Sequence, residues 1–366
     1  MIMYQPQVID MSETKTQIAS ATKGDNTPGR LVLKGGEQPA YPQYLPVIEH
    51  QTFPDWEEVP FVDAGTRGTP DKRHLFVSGS THRQITPRLG EEIRGVQISQ
   101  LSKEGLDDLA LLAAERGVLV FRDQDFKDIG AERQLETVRH YGRLHIHPTM
   151  PTPAGLPEVI YKDPAATGPR ASAIKPAEAE SISSVVWHAD HTAEIQPPGI
   201  TFFYALELPK SGGDTLFVSA TEAYNLLSDE YKKRLEGLKI VHDNTGMIEY
   251  ARSQGKPARF NPSKQLHPLV RTHPATGAKI LAAIGAGEGN GMPRRIHGYK
   301  QQESESVLRF LNDVLQRSGD IQARVSYEPG TVVVWDNRVV GHTPVHDFGD
   351  ERRHMIRICA MAEKPF

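Results

Sequence analysis

The sequence of 366 residues has a single cysteine, Cys359, so no disulfide bond can form within the chain. Long apolar runs are missing, since none approaches the ~18 residues that a membrane-spanning helix needs. The first residues, MIMYQPQVIDMSETKT, lack the basic start and apolar core of a secretory signal. The formal net charge is only −4, which indicates neither a nucleic-acid-binding surface nor a polybasic membrane surface. These absences predict a cytoplasmic protein with no nucleic-acid partner and no membrane partner.

Regular periodicity is also scarce in the first 80 residues, which are rich in proline, glycine and polar residues. This composition predicts an extended arm over residues 1–80 rather than an independent fold. The remaining segment, 81–366, has a length that one β-rich domain with insertions can reach. The sequence leaves the oligomeric state open, a homo-oligomer included.

Short runs rich in β-branched and aromatic residues dominate the second half of the chain. The predicted strands there are WHAD, GITFFYALEL, DTLFV, LVRTH, KILAAI, ARVSYEP, TVVVWDN and RHMIRICAMA. Helical periodicity covers KEGLDDLALLAAERG and residues 126–142, 219–237 and 300–317. With no fixed repeat, this pattern favours a mainly β fold with flanking helices, a double-sheet jelly roll, over a solenoid or a doubly wound parallel sheet.

The segment WHADH contains the first candidate metal ligands, His188 and Asp190. If the segment is a strand, side chains two residues apart leave the same face and the two groups converge. His342, which follows the predicted strand TVVVWDN, is the candidate third ligand. Two imidazoles and one carboxylate on one side of an ion suit Fe(II) and leave the other positions open. An H-x-D tripeptide by itself is more often a surface feature, so the hypothesis needs support from other motifs.

The C-terminal strand RHMIRICAM places two arginines, Arg353 and Arg357, on one face, opposite Ile356 and Ile358. Burying a guanidinium without an anion is costly, and arginine binds a carboxylate through two parallel N–H donors. The two side chains therefore indicate anion-binding sites in a pocket. The alternative is an edge strand whose arginines face solvent.

Taken together, several motifs resemble those of the taurine dioxygenase family of Fe(II)/2-oxoglutarate-dependent oxygenases, which includes alkylsulfate-ester and phenoxyacetate oxygenases. They begin near Thr86 and are ERGVLVFRDQ, YGRLHIHP, WHADHT, PPGITFFYALELPKSGGDTLF, HPLVRTHPATG, WDNRVVGH and RRHMIR. The resemblance implies a double-stranded β-helix (cupin-like jelly-roll) core over 81–366, which agrees with the strand prediction. It also implies Fe(II) as cofactor, 2-oxoglutarate and O2 as cosubstrates, and succinate and CO2 as products.

The same resemblance implies roles for individual residues. His188, Asp190 and His342 would be the iron ligands. Arg353 would bind the distal carboxylate of 2-oxoglutarate, assisted by the hydroxyl of Thr215. Because related halogenases lack the carboxylate ligand to admit a halide, the presence of Asp190 implies hydroxylation or desaturation and not halogenation.

The substrate side of the site is implied in the same way. Arg357 matches the arginine that holds a sulfonate or sulfate group, and His147 matches a histidine that also contacts the substrate. Met150 and Ser184 stand where the taurine enzyme has a tyrosine and an asparagine. The stretch LAAIGAGEGNG (281–291) also departs from the family pattern, and it either reshapes the pocket or combines core packing with a surface loop.

Three functions follow as alternatives. The first is a scavenging oxygenase that oxidises a small anionic substrate, a sulfonate or a sulfate ester. The second is a tailoring oxygenase that acts on a larger carboxylate-bearing metabolite. The third is a redox-inactive zinc hydrolase with the same three ligands, which would leave Arg353 and Thr215 unexplained. The spacing of the other histidines, His145 and His191 among them, does not predict a second metal site.

Overall fold

The fold comes from a computed structural model that describes residues 40–47, 49–163, 185–286, 293–349 and 351–366. The helices are α1 (Lys103–Arg116), α2 (Ala131–Arg139), α3 (Ala220–Asn225), α4 (Asp229–Leu235), α5 (Thr245–Ser253) and α6 (Gln301–Arg317). The first strands are β1 (Pro46–Val47), β2 (Thr81–Gln84), β3 (Glu91–Arg94), β4 (Val118–Phe121), β5 (Thr152–Pro153), β6 (Ile160–Lys162), β7 (Pro198–Glu207) and β8 (Thr215–Ser219). The later strands are β9 (Lys239–Asp243), β10 (Lys264–Pro268), β11 (Val270–Thr272), β12 (Lys279–Leu281), β13 (Pro293–Ile296), β14 (Gln322–Val325), β15 (Val332–Asp336), β16 (Val340–Pro344) and β17 (His354–Met361).

The main sheet has seven strands in the order β2-β3-β4-β15-β7-β17-β6. Its neighbours are antiparallel except for the parallel pair β3 and β4. Along β7, Phe202 and Tyr204 belong to one hydrophobic core, whereas Phe203 and Ala205 belong to another. Because successive side chains of a strand leave opposite faces, the apolar run GITFFYALEL covers both faces of a sheet that is buried on each side.

Different elements cover the two faces. Helices α1 and α2 pack on one face, where Leu109 and Leu135 join the same core as Phe202. A three-stranded sheet of order β14-β8-β16 packs on the other, and there Phe217 meets Trp335 edge to face with ring centroids 5.6 Å apart. This arrangement confirms the predicted mainly β fold with flanking helices, in which two sheets enclose a core.

The helix predictions were correct for α1 and α6 and wrong in part for the other two. The predicted helix 126–142 is a 3-10 turn at Phe126–Asp128 followed by α2, with Gly130 between them at a φ of +86°. Glycine adopts that conformation readily, and it interrupts the helical pattern. The predicted helix 219–237 is divided into α3 and α4, because the side chain of Ser228 accepts a hydrogen bond from the Tyr231 N–H and so begins a new helix.

Residues 40–80, apart from residue 48, lie against the domain. Asp63 forms an ion pair with Arg338, and Arg67 forms one with Asp107. The ring of Trp56 stacks on Phe260 with centroids 4.9 Å apart. Residues 1–39 lie outside the described part of the chain, and the division of the chain at residue 80 stays a prediction. Among the described residues, no helix combines the length and apolar character required to cross a membrane.

Candidate metal centre and active site

The side chains of His188, Asp190 and His342 converge on one point. Nε2 of His188 lies 3.8 Å from Oδ1 of Asp190, and Nε2 of His342 lies 3.7 Å from Oδ2 of the same carboxylate. One ligand atom from each residue lies within 4.8 Å of the others. Two imidazole nitrogens and a carboxylate oxygen with open positions beyond them form a donor set that fits Fe(II). The structure thus brings together the three residues selected from the sequence.

The local backbone differs from the strand that the sequence predicted for WHAD. His188 and His342 form an isolated antiparallel bridge. The His188 N–H donates to the His342 carbonyl with an N–O distance of 3.1 Å, and the His342 N–H donates to the His188 carbonyl at 2.8 Å. Asp190 lies in the turn that follows. The buried side chain of Asn337 holds this turn. Its Oδ1 accepts a hydrogen bond from the Asp190 N–H at 2.8 Å, and its Nδ2 donates to the Asp190 carbonyl at 3.0 Å. A bridge and a turn, and not a shared strand face, therefore position the two ligands.

Hydrogen bonding and burial set the protonation of the three groups. His188 Nδ1 lies 3.0 Å from the Val186 carbonyl, which can only accept, so Nδ1 carries the proton and Nε2 keeps its lone pair for a metal. Burial lowers the pKa of His188 and lowers the pKa of His342 to about 3. Burial alone would raise the pKa of Asp190, but Arg357 and the two histidines hold it well below its usual value. At neutral pH the centre therefore offers two neutral imidazoles and one carboxylate.

Arg353 lies in a pocket of its own, enclosed by three aromatic rings. Its guanidinium carbon lies 5.5 Å from the ring centroid of Tyr327, 5.7 Å from that of Phe203 and 5.9 Å from that of Phe348. Its Nε donates to the Gly213 carbonyl at 2.8 Å, whereas Nη2 is buried without a hydrogen-bond partner in the described structure. A buried donor left in this state suits an incoming carboxylate, which arginine binds with two parallel N–H groups.

Thr215 and Tyr327 border the same pocket. Their hydroxyl oxygens are 2.7 Å apart, and either group can donate the hydrogen bond. Burial raises the pKa of Tyr327 to about 12, so its hydroxyl stays protonated and can donate to an anion. Thr215 was identifiable from the sequence and Tyr327 was not, although Tyr327 lies in the predicted strand ARVSYEP. The tyrosine approaches the arginine only because β14 lies beside β8.

Arg357 lies next to the triad on β17. Arg353 precedes this strand, which begins at His354 with a register shift before Met355, so the strand predicted for both arginines contains only Arg357. Its Nη1 forms a short ion pair with Asp190, and its Nη2 lies 3.4 Å from Nε2 of His191. Its Nε is buried without a hydrogen-bond partner within the described ranges. The side chain is therefore close enough to the metal ligands to hold an anionic group beside them.

His147 lies beside His191, the residue that Arg357 contacts, with the centroids of the two imidazole rings 4.5 Å apart. Its Nδ1 accepts hydrogen bonds from the backbone N–H groups of Thr149 and Met150, each at 3.1 Å. A neutral imidazole with Nδ1 as acceptor carries its proton on Nε2. Burial, followed by the charges of nearby groups, holds the pKa of His147 well below its usual value, so the ring is neutral. Its Nε2–H can therefore donate one hydrogen bond to a ligand.

The other predicted substrate contacts have different outcomes. Met150 is buried in a cluster with Ile160 and Cys359. Ser184 lies outside the described residues. In the divergent stretch, Ala283 and Ile284 are core residues, which favours packing over a wider pocket at those two positions. Residues 287–292 are not among those described.

The histidine spacing gave no indication of a second polar cluster that the structure contains. His145, His191 and Glu194 are all buried, and one ligand atom from each lies within 4.8 Å of the others. The distance between His145 Nε2 and Glu194 Oε1 is 4.0 Å. A dication bound there would lie beside the fixed positive charge of Arg357, which contacts His191. The spacing of the histidines predicted no second metal site, and it gave no sign that these three side chains lie together.

Comparison with protein families gives a match over residues 81–359, to the family described as taurine catabolism dioxygenase TauD, TfdA family. An alpha-ketoglutarate-dependent dioxygenase of Penicillium expansum, cnsP, is 39% identical, over 93% of this chain and 91% of that protein. An alpha-ketoglutarate-dependent sulfonate dioxygenase of Saccharomyces cerevisiae is 38% identical, over 90% of this chain and 79% of that protein. A crystal structure of a taurine dioxygenase from Burkholderia xenovorans superposes with a TM-score of 0.61 at 23% identity, covering 78% of this chain and 92% of that one. That likeness supports the jelly-roll fold.

Proposed function

We propose, from the premise that this chain belongs to the taurine catabolism dioxygenase TauD, TfdA family, that it oxidises a C–H bond of a small organic anion, a sulfonate or a sulfate ester. The family makes it a 2-oxoglutarate-dependent non-heme iron dioxygenase, with Fe(II), 2-oxoglutarate and O2 as reactants and succinate and CO2 as products. The observation that carries the choice of substrate is the buried pair of Arg357 and His147 beside the triad. Together they present a guanidinium and an imidazole N–H to an anionic group.

In this proposal His188, Asp190 and His342 would hold the iron. When bound, iron and 2-oxoglutarate activate dioxygen for attack on a C–H bond. Arg353 binds the distal carboxylate of 2-oxoglutarate, with Thr215 beside it, and the aromatic rings around Arg353 exclude water from that end of the site.

On the other side of the triad, Arg357 and His147 hold the anionic group of the substrate. This contact places a neighbouring carbon at the reacting position, and such positioning selects the carbon that is oxidised.

The metal assignment is tested by replacing one ligand and one matched histidine. His342→Ala should abolish iron-dependent succinate release and remove one equivalent of Fe(II) binding in anaerobic dialysis. His297→Ala, at an exposed position, should change neither measurement. Normal turnover in His342→Ala would remove that histidine from the ligand set.

The substrate class is tested by loading the protein anaerobically with Fe(II) and 2-oxoglutarate and then measuring succinate release in air. The compounds are sulfonates, sulfate esters, phenoxyacetates and amino acids. Sulfonates or sulfate esters should give the highest turnover. Arg357→Ala should weaken substrate binding and uncouple the reaction, leaving slow decay of 2-oxoglutarate without substrate oxidation. Tight binding and full coupling in Arg357→Ala would contradict the anion site.

A carboxylate-bearing metabolite is the second candidate substrate, because Arg357 and His147 suit a carboxylate as well as a sulfonate. Turnover of phenoxyacetates alone in the same series would favour it. The zinc hydrolase alternative is set aside, because the chain belongs to an oxygenase family. A zinc hydrolase would also leave the buried Arg353 without a ligand to bind. The cytoplasmic location, the oligomeric state and the lack of nucleic-acid and membrane partners stay predictions.

A further inference from the structure

Arg259 is a buried arginine that binds the short segment containing His147. Its exposed fraction is 1%. Its Nη1 donates to the His147 carbonyl at 3.2 Å and to the Met150 carbonyl at 2.6 Å, and its Nη2 donates to the Thr152 hydroxyl at 3.2 Å. The backbone N–H of Arg259 donates to the Pro148 carbonyl at 2.9 Å. One residue therefore holds this segment by four hydrogen bonds.

The peptide unit between Pro148 and Thr149 links Arg259 to the ring of His147. Its carbonyl accepts from the Arg259 N–H, and its N–H donates to His147 Nδ1 at 3.1 Å. A trans peptide unit is planar, so its C=O and N–H point in opposite directions and move together. Because Nδ1 accepts this bond, the neutral imidazole carries its proton on Nε2. The position of that Nε2–H therefore depends on the contacts with Arg259.

The backbone around Arg259 is itself anchored by the N-terminal part of the chain. The Phe53 N–H donates to the Arg259 carbonyl at 2.8 Å, and the ring of Phe53 stacks on Phe260 with centroids 5.8 Å apart. The carboxylate of Asp55 accepts hydrogen bonds from the N–H and from Nδ2 of Asn261, each at 3.0 Å. The guanidinium therefore extends from a backbone that is fixed independently of the segment that it binds.

The ring of His147 lies close to the groups proposed to hold the substrate and the iron. It meets the ring of His191 at 90°, with centroids 4.5 Å apart. His191 Nε2 lies 3.4 Å from Nη2 of Arg357, which in turn forms an ion pair with Asp190. A displacement of the segment that Arg259 holds would therefore move the His147 donor relative to Arg357.

We propose that Arg259 is a positioning residue for the substrate, acting through His147 by fixing the direction of its Nε2–H. This inference rests on the proposed function, in which His147 and Arg357 hold the anionic group. The role needs a guanidinium, because its planar fork reaches two carbonyls and a hydroxyl at once, whereas lysine has a single ammonium group. Loss of Arg259 should weaken substrate binding but not the binding of 2-oxoglutarate, whose proposed site is the pocket of Arg353.

Hydrogen exchange of the Thr149 and Met150 amides, which donate to His147 Nδ1, tests the first step before any substrate is added. In Arg259→Lys these amides should exchange roughly tenfold faster than in the wild type, because the segment loses charge-assisted hydrogen bonds. Thr152→Val, which removes only the hydroxyl contact, should change the exchange in the same direction by a smaller factor. Since Thr152→Val keeps the arginine, it decides the question if Arg259→Lys does not fold.

Arg116→Lys is the matched control. Arg116 also holds a loop through backbone carbonyls, those of Thr86, Pro87 and Gly90. Its replacement should likewise destabilise the protein, but it should leave the exchange of the two amides near His147 unchanged.

Substrate binding tests the second step. Calorimetric titration of butane-1-sulfonate into the anaerobic protein, loaded with Fe(II) and 2-oxoglutarate, measures affinity without turnover. Arg259→Lys should weaken sulfonate binding roughly tenfold and leave the affinity for 2-oxoglutarate unchanged. In a His147→Ala background, Arg259→Lys should change the sulfonate affinity by less than about twofold, because the group through which it acts is missing. Arg116→Lys should bind both compounds as the wild type does.

The possible failures are distinct. Unchanged amide exchange in both Arg259→Lys and Thr152→Val would overturn the inference and leave the proposed function intact. An equal loss of sulfonate affinity with and without His147, or a parallel loss of 2-oxoglutarate affinity, would also overturn it, by showing a general structural effect. If the wild type binds 2-oxoglutarate but neither binds nor oxidises sulfonates, the proposed sulfonate function fails, and the amide exchange alone decides whether Arg259 positions His147.

Discussion

Arg353 is a buried arginine that keeps one hydrogen-bond donor unused in the described structure. The guanidinium is buried among aromatic rings, one of its nitrogens is tied to the Gly213 carbonyl, and Nη2 has no partner in the described structure. Burial lowers the pKa of this arginine, while Tyr327, Asp214 and Asp347 raise it. The two nearby carboxylates are each hydrogen-bonded to Arg324 instead. The arginine is therefore held in position while Nη2 keeps an unused hydrogen-bond donor in the described structure.

The first prediction concerns the shape of this group. Arg353→Lys keeps a positive charge but loses the planar pair of donors, so the affinity for 2-oxoglutarate should fall. The loss should be about 1.5–3 kcal/mol, or roughly ten- to hundredfold, in a titration of 2-oxoglutarate against the iron-loaded protein. Arg352→Lys is the matched control, because the neighbouring arginine pairs with Asp163 and Glu207 and not with the pocket. An unchanged 2-oxoglutarate affinity accompanied by weaker substrate binding would exchange the roles of Arg353 and Arg357.

A second prediction at this scale concerns pH and His267, a buried histidine that is not one of the three metal ligands. Burial lowers the pKa of His267 to about 4, and its Nε2 lies 3.0 Å from the Glu194 carbonyl. The unfolded chain, with a pKa of about 6.5, takes up the proton first. The contribution of neutral His267 to stability is therefore complete above pH ~6.5 and is lost as the pH falls towards 4, at up to roughly 1.4 kcal/mol per unit.

Urea unfolding at two pH values, about 7 and about 5, measures this loss. His267→Gln keeps an amide donor near the Glu194 carbonyl but does not titrate, so its free energy of unfolding should fall less than that of the wild type. His297→Gln, at an exposed histidine, should follow the wild type. An equal fall in all three proteins would assign the pH dependence to other groups.

At the level of the element, the turn before β8 controls the position of Arg353. Gly213 has a φ of +72°, and a Cβ built there would lie 2.8 Å from Cδ of Arg353. Its N–H donates to Asp347 Oδ1 at 2.8 Å, which fixes the turn against the loop after β16. The turn therefore needs a glycine for its backbone conformation and also for the space that the arginine occupies.

The third prediction separates these two reasons with a pair of glycines. Gly213→Ala and Gly237→Ala both place an alanine at positive φ, 72° and 75°, but nothing lies within 4 Å of a Cβ at Gly237. Both variants should lose about 1 kcal/mol of stability from backbone strain. Only Gly213→Ala should also weaken 2-oxoglutarate binding, because its methyl group displaces Arg353. Equal 2-oxoglutarate affinities in the two variants would show that the turn does not position the arginine.

At the level of the whole molecule, one buried arginine joins three distant parts of the chain. Arg338 forms ion pairs with Asp63 at 2.5 Å, with Asp336 at 2.6 Å and with Glu363 at 2.6 Å. His273 adds a contact to Asp336 at 3.0 Å. Burial would lower the pKa of Arg338, but its three carboxylate partners raise it well above the usual value. The network attaches the N-terminal segment and the C-terminal end to the turn between β15 and β16.

The fourth prediction is that Arg338→Met destabilises the protein by about 3–5 kcal/mol, because it leaves buried carboxylates without their partner. Lys364→Met is the control, since its ion pair with Glu58 is half exposed and should contribute within about 1 kcal/mol. The free energy of unfolding in denaturant at constant pH measures both. Similar losses in the two variants would mean that the buried network does not hold the segments together.

The sequence by itself determined which residues carry the chemistry, and it predicted the strand that contains Arg357. His188, Asp190 and His342 were identifiable from residue type and motif, and Arg357 from the alternation of β17. Arg353, which directly precedes this strand, was identifiable from the motif RRHMIR. Alternation can be recognised in a sequence because successive side chains of any strand leave opposite faces, so residues two apart share a face in every fold.

Only the tertiary structure decided how those residues are held. The turn at Asp190 depends on Asn337, which is 147 residues away, and the rings around Arg353 come from β7, from the segment after β14 and from the loop before β17. Contacts of this kind depend on which strands lie side by side, and local periodicity does not carry that information, because the same alternation fits many strand orders.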